Sequence, residues 1–228
     1  MDLKKQEIED YYQEHLDSNY QPAFYQPRYH QVLKLLAADK KSIKILDIGC
    51  GAGDLLLMIK EAGFLNIEGL DYSLQAQKFA QSRGLKVTLG DLEQETPKFN
   101  YKFDVVVCAD TLEHVFDPGK FLERIKPLLT NRGKLILTVP NAGWYLNGFL
   151  LTFFPRFLRL SPAFGVWTHC NQFTVYTLNK LLTASGFRTQ KTLGVSFIRT
   201  PAEHENFIRK LLKIIAKLPI KFSDLFVT

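Results

Sequence analysis

Short apolar runs alternate with longer mixed stretches through the first two thirds of this 228-residue chain. Residues 43–48 are a β-branched run that ends in glycines, which predicts a buried strand entering a tight turn. Residues 54–62 follow as a helix closed by Gly63, and residues 66–71 as a second strand. Residues 73–83 predict a second helix, with Ser73 as N-cap and Gly84 just past its end. Third and fourth strands fall at 85–89 and 103–108, the latter around Val105-Val106-Val107. A helix over 118–129 carries Pro118 in its first turn, and a fifth strand spans 135–139.

Strands that alternate with helices over short links imply a parallel sheet covered on both faces. Before this core, residues 7–38 read as helical with interleaved aromatic residues, cut by Pro22 and Pro27. After Pro140 the rhythm breaks. Residues 143–172 hold both tryptophans, many Phe and Leu, and Pro155 and Pro162, without a clean period. They read as an insertion over the carboxyl edge of the sheet. Regular pattern returns with a helix at 175–185, a strand at 187–195, a helix over about 203–218 and a last strand near 224–228.

Composition is that of a globular protein, with 46% hydrophobic and 23% charged residues. The first residues are charged and lack an apolar core for a signal peptide, so a cytoplasmic protein is expected. Three cysteines are too scattered for a disulfide framework or a zinc site. Charge alters the picture more. Residues 1–123 carry 14 Lys/Arg against 20 Asp/Glu, whereas Arg124 to Ala202 carry ten Lys/Arg and no acid. The basic half is either a solvated face or a surface that concentrates an anionic acceptor.

The sharpest chemistry lies in Ile45-Leu46-Asp47-Ile48-Gly49-Cys50-Gly51-Ala52-Gly53. A strand running through Gly-x-Gly-x-Gly into a helix lets backbone approach a ligand where a Cβ would clash. A dinucleotide fingerprint places its third glycine one residue later. This loop resembles the first motif of the class I S-adenosylmethionine-dependent methyltransferases. Phe103 to Val115 with Asp117-Pro118, then Gly133 to Asn141, then Thr168-His169-Cys170-Asn171-Gln172-Phe173-Thr174 with Ala184-Ser185-Gly186-Phe187, resemble further segments of bacterial small-molecule members. The last segment is similar to a subgroup tied to cell-surface saccharide synthesis, and more distantly to a methionine-biosynthesis branch and to ubiquinone O-methyltransferases.

That resemblance implies a single Rossmann-like α/β domain over 1–228, with a mostly parallel seven-stranded sheet whose last strand is antiparallel. Its parts are a helical cap (1–40), a cofactor-binding core (41–142), a substrate-side insertion (143–173) and the C-terminal end of the sheet (174–228). It implies S-adenosyl-L-methionine as cofactor, held by Asp47, Gly49, Cys50, Gly51, Gly53, Asp71, Tyr72, Asp91, Leu92 and Asp110. Asp71 would take the ribose hydroxyls; Asp91 would take the adenine amine, with Leu92 against the ring.

The sulfonium already activates the methyl group, so the protein aligns the acceptor and removes a proton. His114 and His169 are the candidate bases, since an imidazole titrates near neutral pH; each could instead serve as a structural hydrogen bond. The remaining histidines read as surface residues. No metal is expected, although Asp110, Glu113 and His114 could hold a cation if they converge. Motifs for methylating DNA bases are absent, so the expected partner is a small molecule and not nucleic acid. The first reading of the acceptor is a hydroxylated, anionic sugar or glycan precursor. The second is a lipophilic quinone or prenyl-linked acceptor, reached through weak peripheral contact with a membrane along the basic, apolar stripe of residues 208–218. A third is a cofactor-binding accessory protein without catalysis.

Overall fold

The computed structural model describes residues 3–17, 19–22, 26–142, 169–195 and 223–227. Strands β1 (Ile45–Ile48), β2 (Ile67–Asp71), β3 (Val87–Leu89), β4 (Phe103–Ala109), β5 (Leu129–Pro140), β6 (Lys191–Val195) and β7 (Ser223–Val227) form one sheet, in the order β3-β2-β1-β4-β5-β7-β6. The first five run parallel, and β7 runs antiparallel to both of its neighbours. The expected Rossmann-like sandwich is the one observed. The helices are α1 (Leu3–His15), α2 (Pro27–Leu36), α3 (Asp54–Glu61), α4 (Leu74–Ser82), α5 (Pro118–Ile125) and α6 (Val175–Ala184).

Alternation along each strand sends successive side chains to opposite faces. Val105 and Val107 pack with Ile45 and Ile136 against Val32 and Leu36 of α2 and Leu55 and Ile59 of α3. Val106 points the other way. It joins Leu46, Leu135 and Leu137 against Phe121, Leu122 and Ile125 of α5 and Leu178 and Leu182 of α6. Each such buried side chain contributes about 1.5–3 kcal/mol, and the two layers fix the sheet's carboxyl edge in place.

Several boundaries differ from the sequence reading. The helix expected over 118–129 ends at Ile125, because Pro127 has no N–H to continue the ladder and its ring opposes the preceding turn. A single 3-10 turn, Lys126–Leu128, follows, and β5 starts six residues early at Leu129. The third and sixth strands start late for a shared reason. Leu85 and Phe187 follow Gly84 and Gly186, which take positive φ, and their N–H groups return to Ala80 and Leu182. Both apolar residues therefore close a helix before any strand begins. The Ser73 cap forms as expected, its hydroxyl accepting the Ala76 N–H at 3.0 Å. Most of the aromatic-rich stretch (143–168) and the helix expected at 203–218 lie outside the described residues. Among the described residues no helix is long and apolar enough to cross a membrane.

Candidate functional site

The carboxyl ends of β1, β2, β3 and β4 open into three adjoining cavities of about 70, 390 and 510 Å³. Gly49 and His114 line all three. The groove is therefore continuous, from Asp91 at one end to His169 at the other.

The glycine loop is shaped by what presses on it. Gly49 has φ +71°, and a Cβ there would stand 2.4 Å from Thr111 Oγ1. At Gly51, with φ +52°, a Cβ would stand 2.9 Å from the Tyr12 hydroxyl. Gly53 belongs to the motif in sequence but not to the cavities. It is the N-cap of α3, and its open side meets Leu85 of the α4–β3 link.

The predicted acids stand at successive strand ends. Asp71 is buried, with Oδ2 accepting the Gly51 N–H at 2.8 Å and Oδ1 accepting the Ser73 N–H at 2.9 Å. It thus staples the glycine loop to the end of β2. Burial pushes its carboxyl up to about 6, although those two N–H bonds pull the other way. Asp47 is 2% exposed and sits behind the loop, with Oδ1 buried and lacking a hydrogen-bond partner. Burial, then the neighbouring Asp71 charge, pushes it up to about 8. Asp91 accepts the Glu93 N–H at 3.0 Å and the Gln94 side-chain amide at 2.9 Å, and pairs with Lys5. Leu92 and Phe121 belong to the apolar wall of the small cavity, which Tyr72 also lines with its hydroxyl buried.

These features fit an adenosyl sulfonium cofactor. The glycine loop lines the groove with bare backbone, two carboxylates face that groove, and the buried, unpartnered Asp47 oxygen sits behind the loop, where a nearby cation would favour its ionised form. Cys50 is buried and lines the largest cavity through the same loop.

The far end is assembled from distant segments. Asp110 follows β4 directly with φ +50°, an uncommon conformation for a non-glycine residue. Its Oδ1 accepts the Thr138 hydroxyl at 2.8 Å and its Oδ2 pairs with Arg28 Nε at 2.5 Å. Burial raises its carboxyl and Arg28 opposes that rise. The single 3-10 turn Leu112–His114 follows. Here the buried Glu113 accepts the N–H groups of Cys170 (2.8 Å) and Asn171 (3.0 Å) on its backbone carbonyl. Those bonds bring His169 against His114, ring centroids 4.7 Å apart and nearly perpendicular.

Glu113, His114 and His169 each offer a ligand atom within 4.8 Å of the others, an arrangement able to hold a metal ion. Linear spacing conceals this convergence, because His169 joins from the far side of the insertion. Asp110, the partner considered from sequence, is engaged by Arg28 and Thr138 instead. The described wall of the largest cavity also includes Tyr11, Tyr12, Tyr20 and Tyr29. Arg28, Lys5 and these tyrosines were not singled out as site residues from sequence; the aromatic spacing of residues 7–38 was their one visible signal. His15 and His30 are exposed, as expected.

Comparison with known proteins adds the following. A family model described as a methyltransferase domain matches residues 12–192. A ubiquinone biosynthesis O-methyltransferase from Actinobacillus pleuropneumoniae serotype 7 is 36% identical over 108 residues, covering 43% of this chain and 46% of that protein. One from Psychrobacter arcticus is 27% identical over 162 residues, covering 68% and 62%. The chain spans about half the length of the first of these curated relatives. Among solved structures, magnesium protoporphyrin IX methyltransferase from Synechocystis with bound S-adenosylhomocysteine superposes with a TM-score of 0.65 at 20% identity, over 98% of both chains. An S-adenosylmethionine-dependent methyltransferase from Mesorhizobium loti gives 0.59 at 20% identity, over 86% of this chain and 95% of that one. At such identities the likeness shows the fold.

Proposed function

We propose, since the chain belongs to the methyltransferase domain family, that it moves the methyl group of S-adenosylmethionine onto a hydroxyl of a small acceptor. The observation that carries this reading is one continuous groove with Asp71 and Asp91 at one end, the glycine loop in the middle and the paired histidines at the other. When bound, the cofactor supplies a methyl group already activated by its sulfonium.

Asp71 holds the ribose hydroxyls: each of its oxygens accepts one backbone N–H and keeps a second acceptor position. Asp91 accepts from the adenine amine, with Leu92 and Phe121 against the ring. Asp71 lines the groove and Asp47 lies behind the glycine loop; a bound cation favours the ionised form of both carboxyls, which then hold its charge. His114 or His169 takes the proton of the acceptor hydroxyl. We favour His114, because it alone of the two borders both the cofactor cavities and the acceptor cavity.

For the acceptor, the tyrosine-rich wall supports a planar aromatic ring. So do the relatives named for ubiquinone biosynthesis. Asp54, Asp110 and Glu113 outnumber Arg28 in that described wall, which disfavours an anion. The acid-free stretch from Arg124 to Ala202 favours the saccharide-type, anionic acceptor as the second reading. Incubating the full chain with the cofactor and both acceptor classes, and following S-adenosylhomocysteine release, separates them. Turnover of hydroxylated aromatics is expected; turnover of phosphorylated sugars alone would sink the aromatic reading.

A further inference from the structure

Lys5 belongs to the first half of α1, yet its ammonium rests on the Asp91 carboxylate. It also lies 3.5 Å from Glu93 Oε2 and 5.6 Å from the centre of the Tyr72 ring. Its side chain is 13% exposed and lines the small cavity beside Leu92. Asp91 already accepts from the Glu93 N–H and the Gln94 amide. A carboxylate has about four acceptor positions, so Lys5 takes one of the two left for a ligand. An ammonium there imitates an exocyclic amine: N–H donors on a single nitrogen, reinforced by charge.

The helix that carries Lys5 is attached by polar contacts. No residue from Lys5 to His15 is fully buried. Glu9 accepts the Gln75 N–H at 3.2 Å, and the Tyr12 hydroxyl lies over Gly51. Spacings of four and three put Lys5, Glu9 and Tyr12 on one helical face, so one stripe spans the groove from Asp91 to the glycine loop. A segment with few buried apolar contacts opens at low cost.

We propose that Lys5 is a built-in competitor for the adenine amine: without cofactor it latches α1 over the groove, and cofactor binding releases it. The inference rests on the cofactor assignment made above. Because α1 also carries Tyr11 and Tyr12 into the acceptor cavity, release reshapes that cavity, and cofactor binding precedes and favours acceptor binding.

Calorimetry of the full chain with S-adenosylhomocysteine tests the latch. This ligand has no sulfonium charge, so salt effects report on the protein. Lys5→Met is expected to bind about fivefold more tightly, the factor that a surface-strength ion pair supplies, and Lys5→Arg close to wild type. Salt should tighten binding by the wild type and leave Lys5→Met nearly unchanged. Amide exchange over residues 3–15 should quicken when ligand is added to the wild type and already be fast in unliganded Lys5→Met. Equal or weaker binding by Lys5→Met, with unaltered exchange, overturns the latch and leaves the cofactor assignment standing. If neither protein binds the ligand, both fall together.

Discussion

The two ends of the groove are held together in different ways. At the cofactor end, Asp71 and Asp91 stand at or just past the ends of β2 and β3, and each is fixed by a backbone N–H two residues on, from Ser73 and Glu93. At the acceptor end the contacts join distant parts of the chain: Arg28 reaches Asp110, and Glu113 holds Cys170 and Asn171 so that His169 meets His114. Chain direction alone aims a residue at a strand end. Packing of several elements must aim the rest. The cofactor end is therefore rigid by local construction, while the acceptor end inherits every change in how α1, α2 and the segment around His169 dock.

The sharpest way to separate the two ends is at the histidines. If one of them removes the acceptor proton, His114→Ala or His169→Ala lowers kcat by about 10²–10⁴ and leaves cofactor affinity nearly intact. Two variants that keep wild-type kcat would mean catalysis by alignment alone. The mirror experiment is Asp71→Ala. Loss of hydrogen bonds to a charged group weakens S-adenosylhomocysteine binding by about 1.5–3 kcal/mol, while the fold survives in circular dichroism. An unchanged dissociation constant would make Asp71 a loop brace only.

A separate effect, on stability, is expected with pH. Asp47 and Asp71 are pushed up to about 8 and about 6 in the folded chain, against about 4 when unfolded. Between about pH 4 and 8 the unfolded state loses these protons first, so stability falls as pH rises through that window. The melting temperature of the cofactor-free protein should drop accordingly, less so in Asp47→Asn. Added S-adenosylmethionine, a cation, should flatten the slope more than its neutral product. Equal slopes with both ligands would place the charge elsewhere.

The same division decided what was legible in the sequence. The five parallel strands, the Ser73 cap and the acids at the strand ends could be read because apolar runs, capping residues and glycines carry local geometric meaning. The end of α5 and the starts of β3 and β6 differ from that reading, because Pro127, Leu85 and Phe187 serve helix closure instead of extending a helix or a strand. The aromatic spacing of residues 7–38 is visible in the sequence, but nothing local shows that Arg28, Lys5 and these tyrosines turn toward a groove. His114 and His169 were visible singly; their meeting through the Glu113 carbonyl was not.

Thr111 links the two ends. Its hydroxyl donates to the Ile48 carbonyl at 3.1 Å, and its side chain fills the place of the Cβ that Gly49 lacks. It works as a shim of fixed thickness between the first strand's turn and the turn bearing His114, three residues further on. The gap between donor and base is thereby set by the bulk of one small side chain. Thickening the opposite face with Gly49→Ala prises the two turns apart, and trimming Thr111 relieves only the contact, since a Cβ at φ +71° is strained even with room around it. Position 49 is therefore held to glycine by its backbone, and position 111 alone sets the thickness of the gauge.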